Sequence, residues 1–458
     1  MNNNDRWFLG LFLHTPNRGG MEALDQTLIS VSSDGGITAV IHQNSTHYAQ
    51  ALITAQNSSR LTRLSNNQIC IPGLVDLHVH APQWPQLGKA LHLPLQDWLQ
   101  KHTFPLEARY HDIEYAEQVY TSLVSTLLGH GTTTAMYFAT IHEEATTKLA
   151  EICLTLGQRA FVGRVAMDDI GQCPDYYRDT DAIAALDASR RSIDAIRQLP
   201  GNTTQRVKPV ITPRFIPSCT NELLEGLGEM AIQHDCHVQT HCSESDWEHD
   251  YVLQRLSKTD TQALADFGLL SRHTVLAHSN FMTDADMQLV QLSGAGIAHC
   301  PLSNSYFADS VFPLRRALDK SLRVGLGTDI AGGHSASLFN TCQHAVSSSR
   351  MLEAGVDTTI GSEMRQIPES RINFLEAFYL ATTGGADVLD SPTGNFNVGK
   401  QFDAVLLQLD NPQNKLNEFA EADNWEDLLG RVVYNTQVCN IAQVWVDGKI
   451  VHSYPSNV

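Results

Sequence analysis

Two histidines, His78 and His80, stand at the end of an apolar, strand-like run in LVDLHVHAPQ, residues 74–83. Alternate residues of a strand point to the same face, so these two imidazoles are expected side by side where the strand stops. Neutral imidazoles are ligands for divalent ions such as zinc. Because the chain has 20 histidines, one His-x-His pair also arises by chance, and a metal site needs support from other segments.

Four later apolar runs also end in side chains that bind metals or carry protons: His241 with Glu244, then His278, His299 and Asp329. Each of these residues has an ordinary structural explanation when taken singly, such as a turn, a helix cap or a packed core histidine. Taken together, they indicate a shared task, since buried strand ends rarely collect imidazoles and carboxylates without metal or acid–base chemistry.

This combination of residue types predicts a site for one divalent ion, zinc first, with iron or manganese as the alternatives. The predicted ligands are His78, His80, His241, His278 and Asp329. An ion held in this way lowers the pKa of a bound water to about 7. Asp329 is then placed to take the proton of that water, and Glu244 to carry a proton to the substrate. A zinc site of the cytidine deaminase type is excluded, because the chain lacks the Pro-Cys-x-x-Cys pair.

The elements that must position these residues alternate regularly between strand and helix patterns from about residue 73 to 390. Such alternation predicts a parallel sheet, and eight strand candidates over roughly 300 residues suit a (β/α)8 TIM-like barrel. In this fold the chemistry lies at the carboxyl ends of the strands. A doubly wound open sheet is the alternative, but no Gly-x-Gly-x-x-Gly follows the first strand of the series.

The two ends of the chain read differently, as short alternating segments with hairpin turns such as SSDGG and VDGK. We therefore expect a small β-sandwich domain from residues 1–72 and 393–458, next to a catalytic barrel formed by 73–392. The N-terminal segment MNNNDRWFLGLFLHTP lacks a basic leader and a cleavage site, so it is expected to be a first strand.

The amino-acid composition limits the kinds of partner that the protein can bind. The formal net charge of −19 opposes attachment to nucleic acid or to anionic membranes. No apolar stretch reaches the roughly 18 residues of a membrane-spanning helix. The nine cysteines include no Cys-x-x-Cys pair and are expected as free thiols in a reducing compartment. These features favour a soluble cytoplasmic enzyme that acts on a small molecule.

Several segments carry a family resemblance. PGLVDLHVHAPQ, VQTHCSES, LAHSN, IAHCPLSN and GLGTDIAGG resemble, in this order, the motif set of the amidohydrolase superfamily over nearly the whole chain. HAPQ, FPLEARY, TPRFIPSCT and GLGTDIAGGHSAS are similar to the guanine deaminase family within it.

The resemblance implies zinc-dependent hydrolysis of guanine to xanthine and ammonia, one zinc per chain, and a homodimer. It places the zinc at the five predicted ligands and the purine against Gln83, Arg214, Phe215, His241 and Glu244. The implied chemistry is attack of metal-activated hydroxide on C2, with Glu244 protonating N3 and with Glu244 and Asp329 shuttling protons. Phe215 suits the face of a planar ring, Arg214 can donate to the O6 carbonyl, and Gln83 offers a donor and an acceptor.

Some alternatives stay open at this point. In many relatives of this kind the histidine at the end of the sixth strand, which is His278 here, orients the attacking water as much as it binds the metal. The substrate is alternatively 8-oxoguanine, a triazine or another amino-substituted ring, and the bulky residues Trp84, Tyr306 and Phe307 depart from the family pattern. A non-catalytic scaffold would be expected to have lost metal-capable residues, and this chain has kept all of them.

Overall fold

Two large sheets organise the protein in a computed structural model that describes residues 5–416 and 424–454. One sheet is built from both ends of the chain and the other from its middle. Residues 1–4, 417–423 and 455–458 of the predicted terminal domain lie outside the described residues.

The strands of the first part of the chain are β1 (Arg6–Asn17), β2 (Gly20–Val31), β3 (Ile37–Ile41), β4 (Leu61–Arg63) and β5 (Gln68–Pro72). The central series is β6 (Leu74–His80), β7 (Thr132–Phe138), β8 (Arg159–Ala166), β9 (Val207–Pro213), β10 (His237–Cys242), β11 (Thr274–His278), β12 (Gly296–His299) and β13 (Arg323–Leu326). The last strands are β14 (Ala404–Gln408), β15 (Asp410–Asn411), β16 (Asn414–Lys415), β17 (Ile441–Val446) and β18 (Lys449–Ser453).

The α-helices are α1 (Tyr48–Asn57), α2 (Leu95–Trp98), α3 (Phe104–Glu107), α4 (Ile113–Gly129), α5 (Glu143–Leu156), α6 (Ala182–Arg197), α7 (Asn221–His234), α8 (Asp246–Leu256), α9 (Asp260–Asp266), α10 (Asp284–Ser293), α11 (Pro301–Ser303), α12 (Leu314–Asp319), α13 (Leu338–Ala354), α14 (Ser362–Arg365), α15 (Phe374–Tyr379), α16 (Gly385–Val388) and α17 (Trp425–Asn435). Short 3₁₀ turns span Ala81–Gln86, Ala108–His111, Ile216–Ser218 and Val438–Asn440, and π-helical turns span Leu99–Thr103, Asn304–Ala308 and Leu380–Gly384. Among the described helices, none is long and apolar enough to cross a membrane.

The central strands form one parallel sheet of 8 strands in the order β6 to β13, as the alternating pattern predicted. The segment after β13 closes it into a barrel against β6: the Asp329 N–H donates to the His78 carbonyl (2.8 Å), and the His80 N–H donates to the Ile330 carbonyl (2.9 Å). These closing bonds involve His78, His80 and Asp329, three of the residues that were predicted to hold a metal. The TIM-like barrel prediction is confirmed.

Helix starts follow local capping chemistry. The side-chain oxygens of Thr220, Thr259 and Thr283 accept backbone N–H groups at the starts of α7, α9 and α10. Threonine at this position satisfies N–H donors that a helix leaves unpaired. Because α7 and α10 are the first α-helices after β9 and β11, their caps help to set where these strand-end loops stop.

An apolar cluster fills the space between barrel strands and α16. It takes residues from β6, β7, β8, β9, β11 and β12, and its members include Val75, Leu77, Met136, Phe161, Val210, Val275, Ala298 and Val388. Burial of such side chains is the main stabilising term in a fold of this kind. The filled interior leaves the carboxyl ends of the strands for polar groups.

The terminal strands meet in a second sheet in the order β18–β17–β14–β5–β1–β2–β3. It forks at β1, where Trp7 to Leu9 pair with β4 and Phe12 pairs with Cys70 of β5. The strands of this expected β-sandwich are therefore linked by hydrogen bonds into one branched sheet. The domain boundaries at 72/73 and 392/393 stay a prediction. The strand content of the two sheets supports it, since β6 to β13 form one sheet and strands before and after them form the other.

Buried ion pairs join this sheet to the barrel. Arg159 of β8 donates to Asp403 (3.1 Å) and to Asp447 (2.6 Å), and Arg206 donates to Asp447 (2.9 Å). A hydrogen-bonded network of this kind compensates each charge that is taken out of water. It fixes one end of β8 against the start of β14 and the turn between β17 and β18.

Gly327 is expected to be intolerant of any side chain, because an added Cβ would lie 2.8 Å from the Cβ of His78 and 3.0 Å from the Sγ of Cys300. Gly327→Ala should lower the free energy of unfolding by about 1–3 kcal/mol through overpacking, as measured by denaturant titration. Gly361→Ala is the matched control, since an added Cβ there meets nothing within 4 Å. Equal stability of the two variants would contradict the close approach of β6 and β13.

Candidate active site

The five predicted ligands converge at the carboxyl end of the barrel. The Nε2 atoms of His80 and His241 lie 3.0 Å apart, and the Oδ1 atom of Asp329 lies 3.3 Å from His78 Nε2 and 3.5 Å from His80 Nε2. The Nε2 atom of His278 lies 3.8 Å from Asp329 Oδ2. All five side chains are buried. Residues up to 251 positions apart in the chain (329 − 78) thus form one cluster.

The charge state of this cluster suits a cation. Burial lowers the pKa of His78, His80 and His241 well below the ordinary value, and it also lowers that of His278. The imidazoles are therefore neutral and keep a lone pair. Within the described part of the chain, Nε2 of His78 and Nε2 of His278 are buried without a hydrogen bond. Buried polar atoms are normally satisfied, so these atoms fit an ion as their missing partner.

Two hydrogen bonds fix which ring nitrogens face the cluster. His241 Nδ1–H donates to the carbonyl of Arg214 (2.6 Å), and His278 Nδ1–H donates to Oδ1 of Asn304 (3.0 Å). Each bond leaves Nε2 as the acceptor that points inward. Asn304 is held in turn by Asn280 (2.8 Å), whose amide donates to the carbonyl of Glu244 (2.8 Å). Sequence reasoning missed both asparagines.

Asp76 is a further residue that the sequence-based reasoning missed. Its buried carboxylate accepts the backbone N–H of Thr328 (2.9 Å) and the hydroxyl of Thr328 (2.6 Å). Burial raises the pKa of Asp76 to about 7. The contact ties β6, which carries His78, to the segment that carries Asp329. The signal was present in LVDLHVH, since an acidic residue inside an apolar strand needs a partner.

Glu244 lies at the wall of the same cluster, with Oε1 at 3.7 Å from His278 Nε2. Burial raises its pKa well above the ordinary value, and the nearby charge of Asp329 adds to this effect. A raised pKa favours the protonated carboxyl group, which can give its proton to a substrate. Its position and its pKa both suit proton transfer.

A cavity with about 400 Å³ of empty space opens beside these residues. Part of this space is open to solvent. The predicted substrate residues Gln83, Arg214 and Phe215 border it together with His80, His241, Glu244 and Asp329. One side is apolar and is formed by Leu95, Trp98, Leu99 and Phe307. The first three were not predicted, because the helical segment that contains them carries no recognisable motif.

The three bulky residues that depart from the family pattern lie in different places relative to the cavity. Phe307 borders the cavity and packs on Trp98, with ring centroids 4.9 Å apart. Trp84 instead donates to Ser122 (3.1 Å), and the Tyr306 hydroxyl contacts His334 Nδ1 (3.1 Å). Of the three, only Phe307 is among the described residues that line the cavity.

His299 has a packing environment. Its ring lies 5.2 Å from that of Phe312, and burial lowers its pKa to about 3. Among the described residues it belongs neither to the groups that could hold an ion nor to the cavity wall. The end of a barrel strand is therefore not sufficient to place a histidine in the site.

Glu107 lies behind the cavity wall, in contact with residues that border the cavity. It belongs to the segment FPLEARY, but no prediction singled it out. Its fully buried carboxylate accepts hydrogen bonds from Arg214 (2.6 and 3.1 Å), from Gln83 Nε2 (3.0 Å) and from the Tyr177 hydroxyl (2.7 Å). Gln83 Oε1 accepts the N–H of Ala331 (3.2 Å). Two predicted substrate residues are thus oriented by one carboxylate.

The chain is similar to known proteins over most of its length. The model of the amidohydrolase family matches residues 69–451. The guanine deaminase of Mus musculus is 36% identical over 458 residues, 98% of this chain and 97% of that protein. The guanine deaminase of Escherichia coli K12 is 31% identical over 393 residues, 84% of this chain and 83% of that protein. The crystal structure of guanine deaminase from C. acetobutylicum, with guanine bound in the active site, superimposes with a TM-score of 0.86 at 31% identity and covers 98% of this chain and 100% of that one. The chain therefore belongs to the amidohydrolase family, as a member of its guanine deaminase group.

Proposed function

We propose that the protein hydrolyses guanine to xanthine and ammonia. The observation that carries this proposal is that Arg214, Gln83 and Phe215 border the same cavity as Glu244 and the His/Asp cluster. Binding groups for a planar oxo-purine and groups for hydrolysis therefore share one space. The similarity to guanine deaminases over nearly the whole chain supports the same substrate.

The cavity offers each kind of contact that guanine needs. Phe215 and the apolar wall at Trp98 and Phe307 suit the faces of a planar ring. Arg214 keeps N–H groups beyond those given to Glu107, and these can donate to O6. Gln83 Nε2 has a second hydrogen for the purine edge, since Glu107 takes only one.

The metal is proposed to be a single zinc ion held by His78, His80, His241 and Asp329, with His278 as a further ligand or as the group that orients the water. The set of imidazoles with one carboxylate fits zinc better than a harder ion, and iron or manganese are the alternatives. When bound, the ion would make hydroxide available from water near neutral pH. Elemental analysis of the purified protein decides which metal is present.

The residues divide the proton transfers between them. Asp329 accepts the proton that water loses as hydroxide adds to C2 of guanine. Glu244 delivers a proton to N3, which takes up the electron pair of the broken C=N double bond. The C2 amino group then takes the proton held by Asp329 and leaves as ammonia, while the C2 hydroxyl gives its proton to Glu244 and becomes the C2 carbonyl of xanthine, with N3 still protonated. The raised pKa of Glu244 supports this role.

The test is ammonia release by protein of measured metal content, given guanine, 8-oxoguanine, adenine and a triazine side by side. Guanine should be turned over with the highest kcat/KM. Absence of guanine turnover by metal-loaded protein would overturn the substrate assignment, and turnover of another ring would name its replacement. Absence of turnover with every ring would favour the scaffold alternative.

The assembly and location of the protein are proposed as a homodimer in the cytoplasm. The family resemblance supports the dimer, and light scattering on the purified protein tests it. All nine cysteines are buried and free, as suits a reducing compartment. Fractionation of cells that express a tagged chain tests the location.

A further inference from the structure

Glu107 stands out because it is a buried charge that does not border the cavity, yet it contacts residues that do. It ends α3, whereas Arg214 follows β9 and Gln83 lies in the turn after β6. One carboxylate thus fixes loops from three places around the barrel end, with Tyr177 completing its hydrogen bonds. Its burial means that each of its charge-assisted bonds is hard to replace by water.

The pair with Arg214 also sets the charge of the pocket. The Arg214 side chain is 3% exposed and that of Glu107 is fully buried. An arginine remains protonated in a protein, so Glu107 is the group that compensates its charge directly. The guanidinium therefore presents N–H donors to the cavity, while the pair as a whole carries no net charge.

We propose that Glu107 is a positioning and specificity-determining residue. It holds the side chains of Arg214 and Gln83 in their orientations, and it makes the pocket select an uncharged planar lactam over an anionic ring of similar size. The proposal rests on the proposed function and refines it. The donors of Arg214 and Gln83 recognise carbonyl oxygens by direction. Compensation of the Arg214 charge removes the attraction that a free guanidinium would exert on an anion.

The test compares wild type with Glu107→Gln. Two quantities are measured: KM and kcat for guanine, and the inhibition constant of urate, a purine anion at neutral pH. KM should rise at least about tenfold with a smaller change in kcat, because ground-state and transition-state binding are lost together. The ratio of the urate inhibition constant to KM should fall at least about tenfold, since the Arg214 charge is no longer compensated. Metal content should not change.

Glu376→Gln is the matched control for loss of a buried acidic partner. Glu376 accepts from Arg315 at 2.6 Å, the same distance as in the Arg214 pair, but Arg315, unlike Arg214, is not among the described residues that border the cavity. This variant should lose stability while KM and urate inhibition stay within about twofold of wild type. Equal effects of the two variants on KM would show that Glu107 acts through stability alone.

A double-mutant cycle keeps the proposal testable if Glu107→Gln folds poorly. Arg214→Gln combined with Glu107→Gln removes both charges and leaves neither buried alone. Because the charge effect of Glu107 acts through Arg214, the second substitution should change the ratio of the urate inhibition constant to KM in Arg214→Gln by less than about twofold. A full, independent effect of Glu107→Gln on this ratio in that background would overturn the proposal.

Calorimetric measurement of urate binding distinguishes failure of the proposed function from failure of the proposal about Glu107. Wild type that lacks guanine turnover would refute the proposed function, and tighter urate binding by Glu107→Gln would still support charge compensation. Wild type that turns over guanine, with KM and urate binding unchanged in a folded Glu107→Gln protein, would overturn the present inference and leave the proposed function standing.

Discussion

Glu244→Gln should lower kcat for guanine by about a hundredfold to ten-thousandfold, the contribution expected of a general acid–base group. The amide has nearly the same shape, so it can occupy the same place 3.7 Å from His278 Nε2. It cannot hold and release the proton that N3 requires. Zinc content and thermal stability should remain close to those of wild type. Steady-state kinetics with elemental analysis of the same preparation measure both.

Glu248→Gln is the nearby control for this substitution. Glu248 is buried four residues later, and its Oε2 accepts the backbone N–H of Glu244 (2.7 Å). An amide oxygen can still accept this bond, so the loss of kcat should be less than about tenfold. If Glu244→Gln kept kcat within tenfold of wild type, Glu244 would not be the proton carrier, and Asp329 would have to carry both transfers.

His80→Asn should remove the bound metal and lower guanine turnover at least about a thousandfold, because the hydroxide supply depends on the ion. The Nε2 atom of His80 lies between His241 (3.0 Å) and Asp329 (3.5 Å), so its loss opens the cluster on one side. The barrel itself should persist, since its strands pair through backbone groups. Zinc content per chain and turnover in excess zinc are the measurements.

His299→Asn provides the matched comparison, because His299 is also a buried histidine at a strand end but packs on Phe312 outside the cluster. It should retain about one zinc per chain and most of the turnover. A His80→Asn protein with a full complement of zinc would place the metal elsewhere. Loss of zinc from both variants alike would point to general destabilisation.

The position of the site in the fold was predictable because strand ends are marked locally. Apolar runs such as LVDLHVH and CHVQTHC end where polar groups begin, and the rules of parallel sheets bring such ends to one side. The strand ends therefore predict that His78, His241 and Asp329 lie together. The same rule includes His299, whose local pattern is the same but whose ring packs against Phe312.

The sequence by itself determined the barrel and the residue types at the strand ends, because these follow from periodicity and from general rules of chain connection. It also brought the two ends of the chain together, but as a β-sandwich rather than as the one branched sheet that they form. Tertiary structure alone decided that Glu107 supports Arg214, that Asp76 closes the barrel beside His78, and that Phe307 rather than Trp84 borders the cavity. The physical reason is distance along the chain. Glu107 and Arg214 are 107 positions apart, so no local pattern specifies their contact, which forms only when the loops pack.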